Sequence, residues 1–227
     1  FHFSGGDGRK LLNLFELLVT TEGGNSLEVT NALVTERLQK NLAQYDKDGE
    51  QHYDIISAFI KSIRGSDPDA AVYWLARMLT GGESLEFIGR RLLIVASEDI
   101  GLANPNALLL AQSCFDSIRV IGNPESRIIL SQTVIYLATS PKSNSAYNAI
   151  NKAMAYVEQT GDLPVPLHLR NAPTRMMKDL NYGADYKYPH DFPGNWVEQN
   201  YFPEVPNRPV FYNPLEQDKI NRGTPSK

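Results

Sequence analysis

An antiparallel array of helices is the fold class this sequence predicts, and three observations predict it. Helix stop and start signals recur at steady intervals through the middle of the chain. The stretches between them place apolar residues three and four apart. No run of β-branched residues alternates with polar ones for long, which argues against a parallel sheet or a barrel.

The stop signals are Gly65, Gly81, Gly101, Gly122, Gly161 and Gly183. Glycine ends a helix because it enters the left-handed region without a Cβ clash. Three of these are followed by an N-cap and a first-turn proline, at Asp67-Pro68, Asn104-Pro105 and Asn123-Pro124. Between the stops run four apolar stripes. The first is Ile55, Ile56, Phe59, Ile60 and Ile63, and the second Val72, Leu75, Ala76 and Leu79. Phe87, Ile88, Leu92 and Val95 form the third, and Ala146, Ile150, Ala153, Met154 and Val157 the fourth. The segment from Ile128 to Ala138 is apolar on nearly every side, which predicts a central helix surrounded by neighbours.

Both ends differ from the middle. Residues 1–40 read as a helix from about Gly8 to Val19, a Gly23-Gly24-Asn25 turn and a short helix near Asn31 to Gln39. Residues 41–50 are polar and read as a linker, leaving 51–183 as the helical domain. From 184 to 227 the helical period vanishes and prolines alternate with Tyr186, Tyr188, Phe192, Trp196, Tyr201, Phe202, Phe211 and Tyr212. Proline forbids helix there, and so many rings are costly to leave in water. An extended tail strapped over the helices is expected, with Trp196, Tyr201 and Phe202 buried against them or against a neighbouring subunit. The chain opens on Phe1-His2-Phe3, a few residues before a helix, and so reads as a piece of a longer protein.

Composition narrows the function. Hydrophobic residues are 42% of the 227 and charged residues 21%, the balance of an ordinary soluble domain. A net charge of −4 gives no global attraction to nucleic acid, so any such contact depends on local arrangement. The single cysteine, Cys114, allows no internal disulfide, fits a reducing cytoplasm and sits in an apolar run that predicts burial. No apolar run approaches the ~20 residues of a membrane span.

Nucleotide hydrolysis needs a glycine-rich turn closing on Gly-Lys-Ser/Thr, so that backbone N–H groups and the lysine surround the phosphates. No such string occurs, and no hydrophobic strand ends in an acidic pair for magnesium. The piece is therefore expected to be no enzyme and to hold no cofactor or metal. Glu98-Asp99 make a poor acid–base pair, since adjacent helical side chains diverge by about 100°. His2, His52, His168 and His190 lack zinc-type spacing.

The string Ser4-Gly5-Gly6-Asp7-Gly8-Arg9-Lys10-Leu11-Leu12-Asn13 has two readings. One is a capped surface helix with an ordinary arginine. The other is the lid of a clamp-loader-type AAA+ ATPase, which it resembles. Longer strings point to one family. They are His52-Tyr53-Asp54, Ser57 through Ala71, Tyr73 through Leu79, Arg90-Arg91-Leu92, Ala96 through Ala103 and Tyr188-Pro189-His190-Asp191. They resemble the C-terminal region of the replication-associated recombination protein A family, also called MgsA and related to the Werner-helicase-interacting protein. The resemblance runs in order from about Ser4 to Tyr212. It departs at Gly8-Arg9-Lys10, where an alanine and paired arginines are usual, and after Tyr212.

That resemblance implies a clamp-loader-collar-like helical array with a remnant of the AAA+ lid in front. Arg9 would hold the sensor-2 position, contacting nucleotide only with an ATPase core present. It also implies a homotetramer, with ATP and magnesium in the parent's ATPase modules. DNA and single-strand-binding protein would be partners, in a nucleoid-associated cytoplasmic setting.

Five cations lie on three successive expected helices: Lys61, Arg64, Arg77, Arg90 and Arg91. They form either a DNA-facing patch or a network of ion pairs with Asp67, Asp69, Glu98 and Asp99. The network is favoured, with Arg90 and Arg91 reaching Glu98-Asp99 through a neighbouring helix.

Overall fold

The computed structural model describes residues 50–218 without a break and, before them, Gly8, Leu12, Phe15 and Glu16, all helical, and Thr30. Arg9, the remainder of the expected first helix, the Gly23-Gly24-Asn25 turn, the helix near Asn31–Gln39, residues 41–49, the His52 side chain and the last nine residues lie outside the described residues.

Seven α-helices follow in order: α1 Glu50–Arg64, α2 Pro68–Thr80, α3 Leu85–Val95, α4 Asn106–Ile121, α5 Ser126–Thr139, α6 Ser145–Thr160 and the short α7 Arg175–Asp179. Among the described residues there is no strand, so the all-helical class holds. Asp67 caps α2 as its sequence implies, its Oδ1 accepting from the Ala70 amide at 2.9 Å with Pro68 opening the helix. Ser84 does the same for α3 through the Phe87 amide.

The other two Asn-Pro signals act differently. Asn104 points its amide at Tyr136 Oη and Ser140 Oγ, so it ties the start of α4 to the end of α5 instead of capping. The Asn123-Pro124 peptide is cis, and α5 starts at Ser126 without a side-chain cap. Gly122 and Gly161 close their helices with positive φ as expected. After α1 and α2 that conformation falls one residue later, on Ser66 and Gly82.

The core belongs to α1–α5. Its fully buried members include Phe59, Ile63, Ile88, Leu92, Ile118, Leu130, Val134 and Leu137. Each contributes about 1.5–3 kcal/mol relative to exposure. α5 sits in the middle, packed on α1, α2, α3 and α4. Its surface is not wholly enclosed, since Ile128 and Ile135 stay exposed. α3 and α4 lie antiparallel and close: a Cβ on Gly89 would come within 2.7 Å of the Phe115 ring and 2.9 Å of Ile118.

α6 stands apart. Among the elements before it, it packs chiefly on the turns at Ala96–Ile100 and Gly101–Ala103 that follow α3. Beyond it the chain runs in turns and extended segments to Asp218, with α7 and three single 3₁₀ turns.

Candidate functional site

Two features carry chemistry: a charged junction where α6 joins the core, and a set of surfaces left uncovered. At the junction α3 widens into a π turn, Ala96–Ile100, which places Asp99 inward and Glu98 at the rim. The turn faces the C-terminus of α1. There Arg64 Nε donates to Asp99 Oδ1 at 2.6 Å and its Nη2 lies 3.3 Å from Glu98 Oε1. Asp99 is 7% exposed, and its Oδ2 has no hydrogen-bond partner. The hydrogen bond to Asp99 holds the Arg64 guanidinium above its ordinary range.

The partner of Glu98 and Asp99 is therefore Arg64, not Arg90 or Arg91. The π turn aims both acids at α1, a pairing across more than thirty residues that spacing along one helix does not display.

Gly101 ends the turn at φ 46°, and a Cβ there would stand 2.8 Å from the Ser143 carbonyl. The Ser143 amide in turn donates to the Asp99 carbonyl. Next to it Lys142 Nζ reaches the carbonyls of Leu137, Ala138 and Ser140 and the Ser66 hydroxyl, at 2.6–3.1 Å. It caps α5 and fastens the α1–α2 turn. Burial pushes the Lys142 ammonium below its ordinary range, against the pull of Asp99. Sequence reasoning passed over Lys142; a lysine three residues past a helix end was the signal available.

The tail closes this junction. Gln217 donates to the Lys142 carbonyl, and Asp218 accepts from the Leu215 amide. Burial raises the Asp218 carboxyl; hydrogen bonding from Ser143, Leu215, Ser145 and Tyr212 outweighs it and leaves the group below its ordinary value.

The other expected cations are not in a network. Arg77 lies over the Trp74 ring, and Arg90 and Arg91 share Phe87, at 5.3–6.0 Å. Lys61 is exposed. Among the described residues none of these four pairs with a carboxylate, so the favoured ion-pair network reduces to Arg64. Arg119, by contrast, stacks on Phe115 and lies 3.4 Å from Glu86.

The fourth apolar stripe is the largest surprise. It faces solvent in the single chain: Ile150 is 56%, Met154 56% and Val157 55% exposed, with Tyr147 half exposed in the same row. The opposite flank of α6 meets the tail, where Tyr156, Phe202 and Phe211 cluster with centroids 5.7–6.2 Å apart. An apolar cavity of about 270 Å³ opens beside them, lined by Ala153, Val157, Leu163 and the three rings. Phe202 is half-buried between the Tyr156 and Phe211 rings, whereas Trp196 and Tyr201 are 45% and 49% exposed.

Cys114 is buried, and burial raises its thiol. His168 meets the Asn200 carbonyl through Nε2, and His190 lies against Tyr188. Among the described residues no three His, Cys, Asp or Glu side chains gather to hold a metal, and no helix is long and apolar enough to cross a membrane.

Residues 65–224 match the family described as MgsA AAA+ ATPase C terminal, and residues 1–64 match one described as AAA C-terminal domain. The chain belongs to the MgsA AAA+ ATPase C-terminal family, and so to the C-terminal part of a AAA+ ATPase.

More particularly, it is similar to proteins named replication-associated recombination protein A. The one from Coxiella burnetii is 44% identical over 224 residues, covering 97% of this chain and 50% of the relative. That of Bacillus subtilis is 44% identical over 222 residues, covering 96% and 52%. The Escherichia coli protein is 38% identical over 226 residues, covering 98% and 49%. The chain thus spans about half the length of the curated relatives it matches. The two family matches meet between Gly65 and its predecessor, at the end of α1, inside what packs as one core.

Proposed function

We propose that this chain is the oligomerisation and partner-binding region of a AAA+ ATPase acting in replication-fork maintenance, repair and recombination. The observation that carries the reading is the uncovered row on α6. Single exposed apolar side chains are ordinary on a monomer; a continuous row along one face of a helix is not. Covering the exposed half of each such side chain contributes about 1 kcal/mol, which makes association favourable once several join.

In this reading residues 1–40 end the ATPase lid, 41–50 link, 51–183 assemble and 184–227 strap. The assembly is a homotetramer that positions ATPase modules, so that Arg9 meets nucleotide at the correct geometry. ATP and magnesium belong to those modules, and the piece alone turns over no nucleotide. DNA and single-strand-binding protein are the partners, in the nucleoid-associated cytoplasm. The names of the relatives support replication and recombination as the setting. Sedimentation velocity across a micromolar dilution series tests the core of it. Species heavier than one chain are expected; a monomer throughout refutes it.

A second reading has its own observation. Lys61, Arg77, Arg90 and Arg91 have no carboxylate partner among the described residues, and stacking fixes three guanidiniums while leaving their N–H edges free. These cations then contact DNA phosphates. Anisotropy with single-stranded and forked DNA at two salt concentrations tests it. Arg90→Ala should lower the salt slope by about 1, while Arg64→Ala should leave it unchanged. Equal slopes for all variants count against a phosphate track.

A further inference from the structure

The uncovered row on α6 has a symmetry of its own. Tyr147, Ile150, Met154 and Val157 are spaced by three, four and three residues, a pattern that reads the same from either end. These are the a and d positions of two heptads. A two-fold axis through the level of Lys152 sets Ile150 opposite Met154 and Tyr147 opposite Val157 of a second copy. We propose that α6 pairs antiparallel with α6 of another copy of this chain, through those four side chains. The proposal rests on the oligomerisation reading and names its contact.

Four observations support the pairing. The first is that about half of each side chain in the row stays exposed: among the described residues the tail rings Phe202 and Phe211 pack on Tyr156, on another flank of the helix, and come to the row only beside Val157. A second is size matching in the outer layers, since antiparallel pairing sets Tyr147 against the smaller Val157, whereas parallel layers would stack Tyr147 on Tyr147 and Met154 on Met154.

The residues beside the row add a third argument. Ala146, Asn151, Ala153 and Thr160 flank it, small or neutral, so two copies approach closely without like charges meeting. The one charged flanking residue, Glu158, falls level with Ala146 of the partner, at the start of its helix, where negative charge is favourable. Anchorage supplies the fourth. α6 is held at its N-terminal end, by the turns around Asp99 and Gly101. Parallel pairing would force two cores side by side, while antiparallel pairing puts them at opposite ends of a rod about 24 Å long.

The apolar cavity between α6 and the tail reaches the row at Val157, the level of the partner's Tyr147 in this pairing. The exposed parts of four side chains from each copy amount to roughly 700 Å², below the ~1,200 Å² of a stable lone interface. The seam therefore works as one contact of a larger assembly.

Single-cysteine cross-linking of the whole chain tests the pairing. Buried Cys114 stays in place as the control for background labelling. Chains carrying Tyr147→Cys are mixed with chains carrying Val157→Cys, whose same-position pairs would stand about 15 Å apart along an antiparallel seam, and treated with a short bis-maleimide. Cross-links are expected in the mixture and not in either variant alone. In parallel, Met154→Glu is sedimented and its helical circular dichroism and melting are recorded. Met154 is more than half exposed in the single chain, so the fold should persist while the assembly's dissociation constant rises at least about tenfold.

Same-position cross-links would overturn the antiparallel arrangement. A wild-type assembly whose mass Met154→Glu leaves unchanged, with no cross-link in the mixture, would overturn the seam while leaving oligomerisation standing. A monomeric wild type would remove both.

Discussion

Replacing Arg64 with alanine tests which cations hold the fold. Breaking a buried ion pair by removing one partner costs about 3–5 kcal/mol, because the remaining charge is left uncompensated. Asp99 fits that case, with its side chain 8% exposed and Oδ2 already without a hydrogen bond. The Arg64 side chain, however, is 47% exposed, so water enters the space it vacates. A loss of about 2 kcal/mol is the reasonable expectation, roughly a thirtyfold change in the folding equilibrium.

Urea unfolding at one fixed protomer concentration measures it, since assembly shifts apparent stability. The same substitution in an Asp99→Asn background should cost less than about 1 kcal/mol, giving a coupling of about 1 kcal/mol or more. Arg90→Ala loses only a partly exposed cation–π contact, about 0.5–1 kcal/mol. An Arg64→Ala loss no greater than that of Arg90→Ala, or one unchanged by Asp99→Asn, refutes the assignment of Arg64 as the structural cation.

Two further outcomes follow from close contacts in the fold. Gly89→Ala should gain about 1 kcal/mol of helix propensity yet destabilise the chain by about 1–3 kcal/mol overall, because its Cβ meets the Phe115 ring at 2.7 Å; a stabilised variant in thermal unfolding would contradict the packing of α3 on α4. Asp218 has its carboxyl below the ordinary 3.8, so its contribution is complete above that value and is lost as pH falls through the lower folded value. Protection of the Leu215 amide against hydrogen exchange, corrected for intrinsic rate, should therefore drop in acid below that point and show no such step in Asp218→Asn. A flat profile in the wild type would mean that Asp218 does not anchor the tail.

Most of the helical body was legible because helix periodicity is a local property. Ile56, Phe59, Ile63, Leu75, Ile88, Leu92 and Val95 all fall on the stripes that three- and four-residue spacing draws, and all are buried. Periodicity says that a face is apolar, however, and not what covers it. The α6 stripe reads the same way as the others, yet Ile150, Met154 and Val157 stay more than half exposed.

Long-range pairings were illegible for a related reason. Asp99 finds Arg64 because a π turn rotates it toward α1, and no spacing rule announces that turn. Asn104 looks like a cap from its neighbours Asn104-Pro105-Asn106, yet its amide is drawn to Tyr136 and Ser140, which arrive only with α5. The basic residues split the same way. Sequence placed Lys61, Arg64, Arg77, Arg90 and Arg91 on successive helices, but only packing separated the one that is paired from the four that meet no carboxylate among the described residues.

The central claim is that the exposed apolar rows of this chain are contacts between copies. Native mass spectrometry of the purified chain, sprayed from low micromolar solution, reads the number of copies directly. Masses at whole multiples of 25.4 kDa are expected, with four copies the end point. A spectrum holding only the single-chain mass, at concentrations where α6 remains helical, would contradict it.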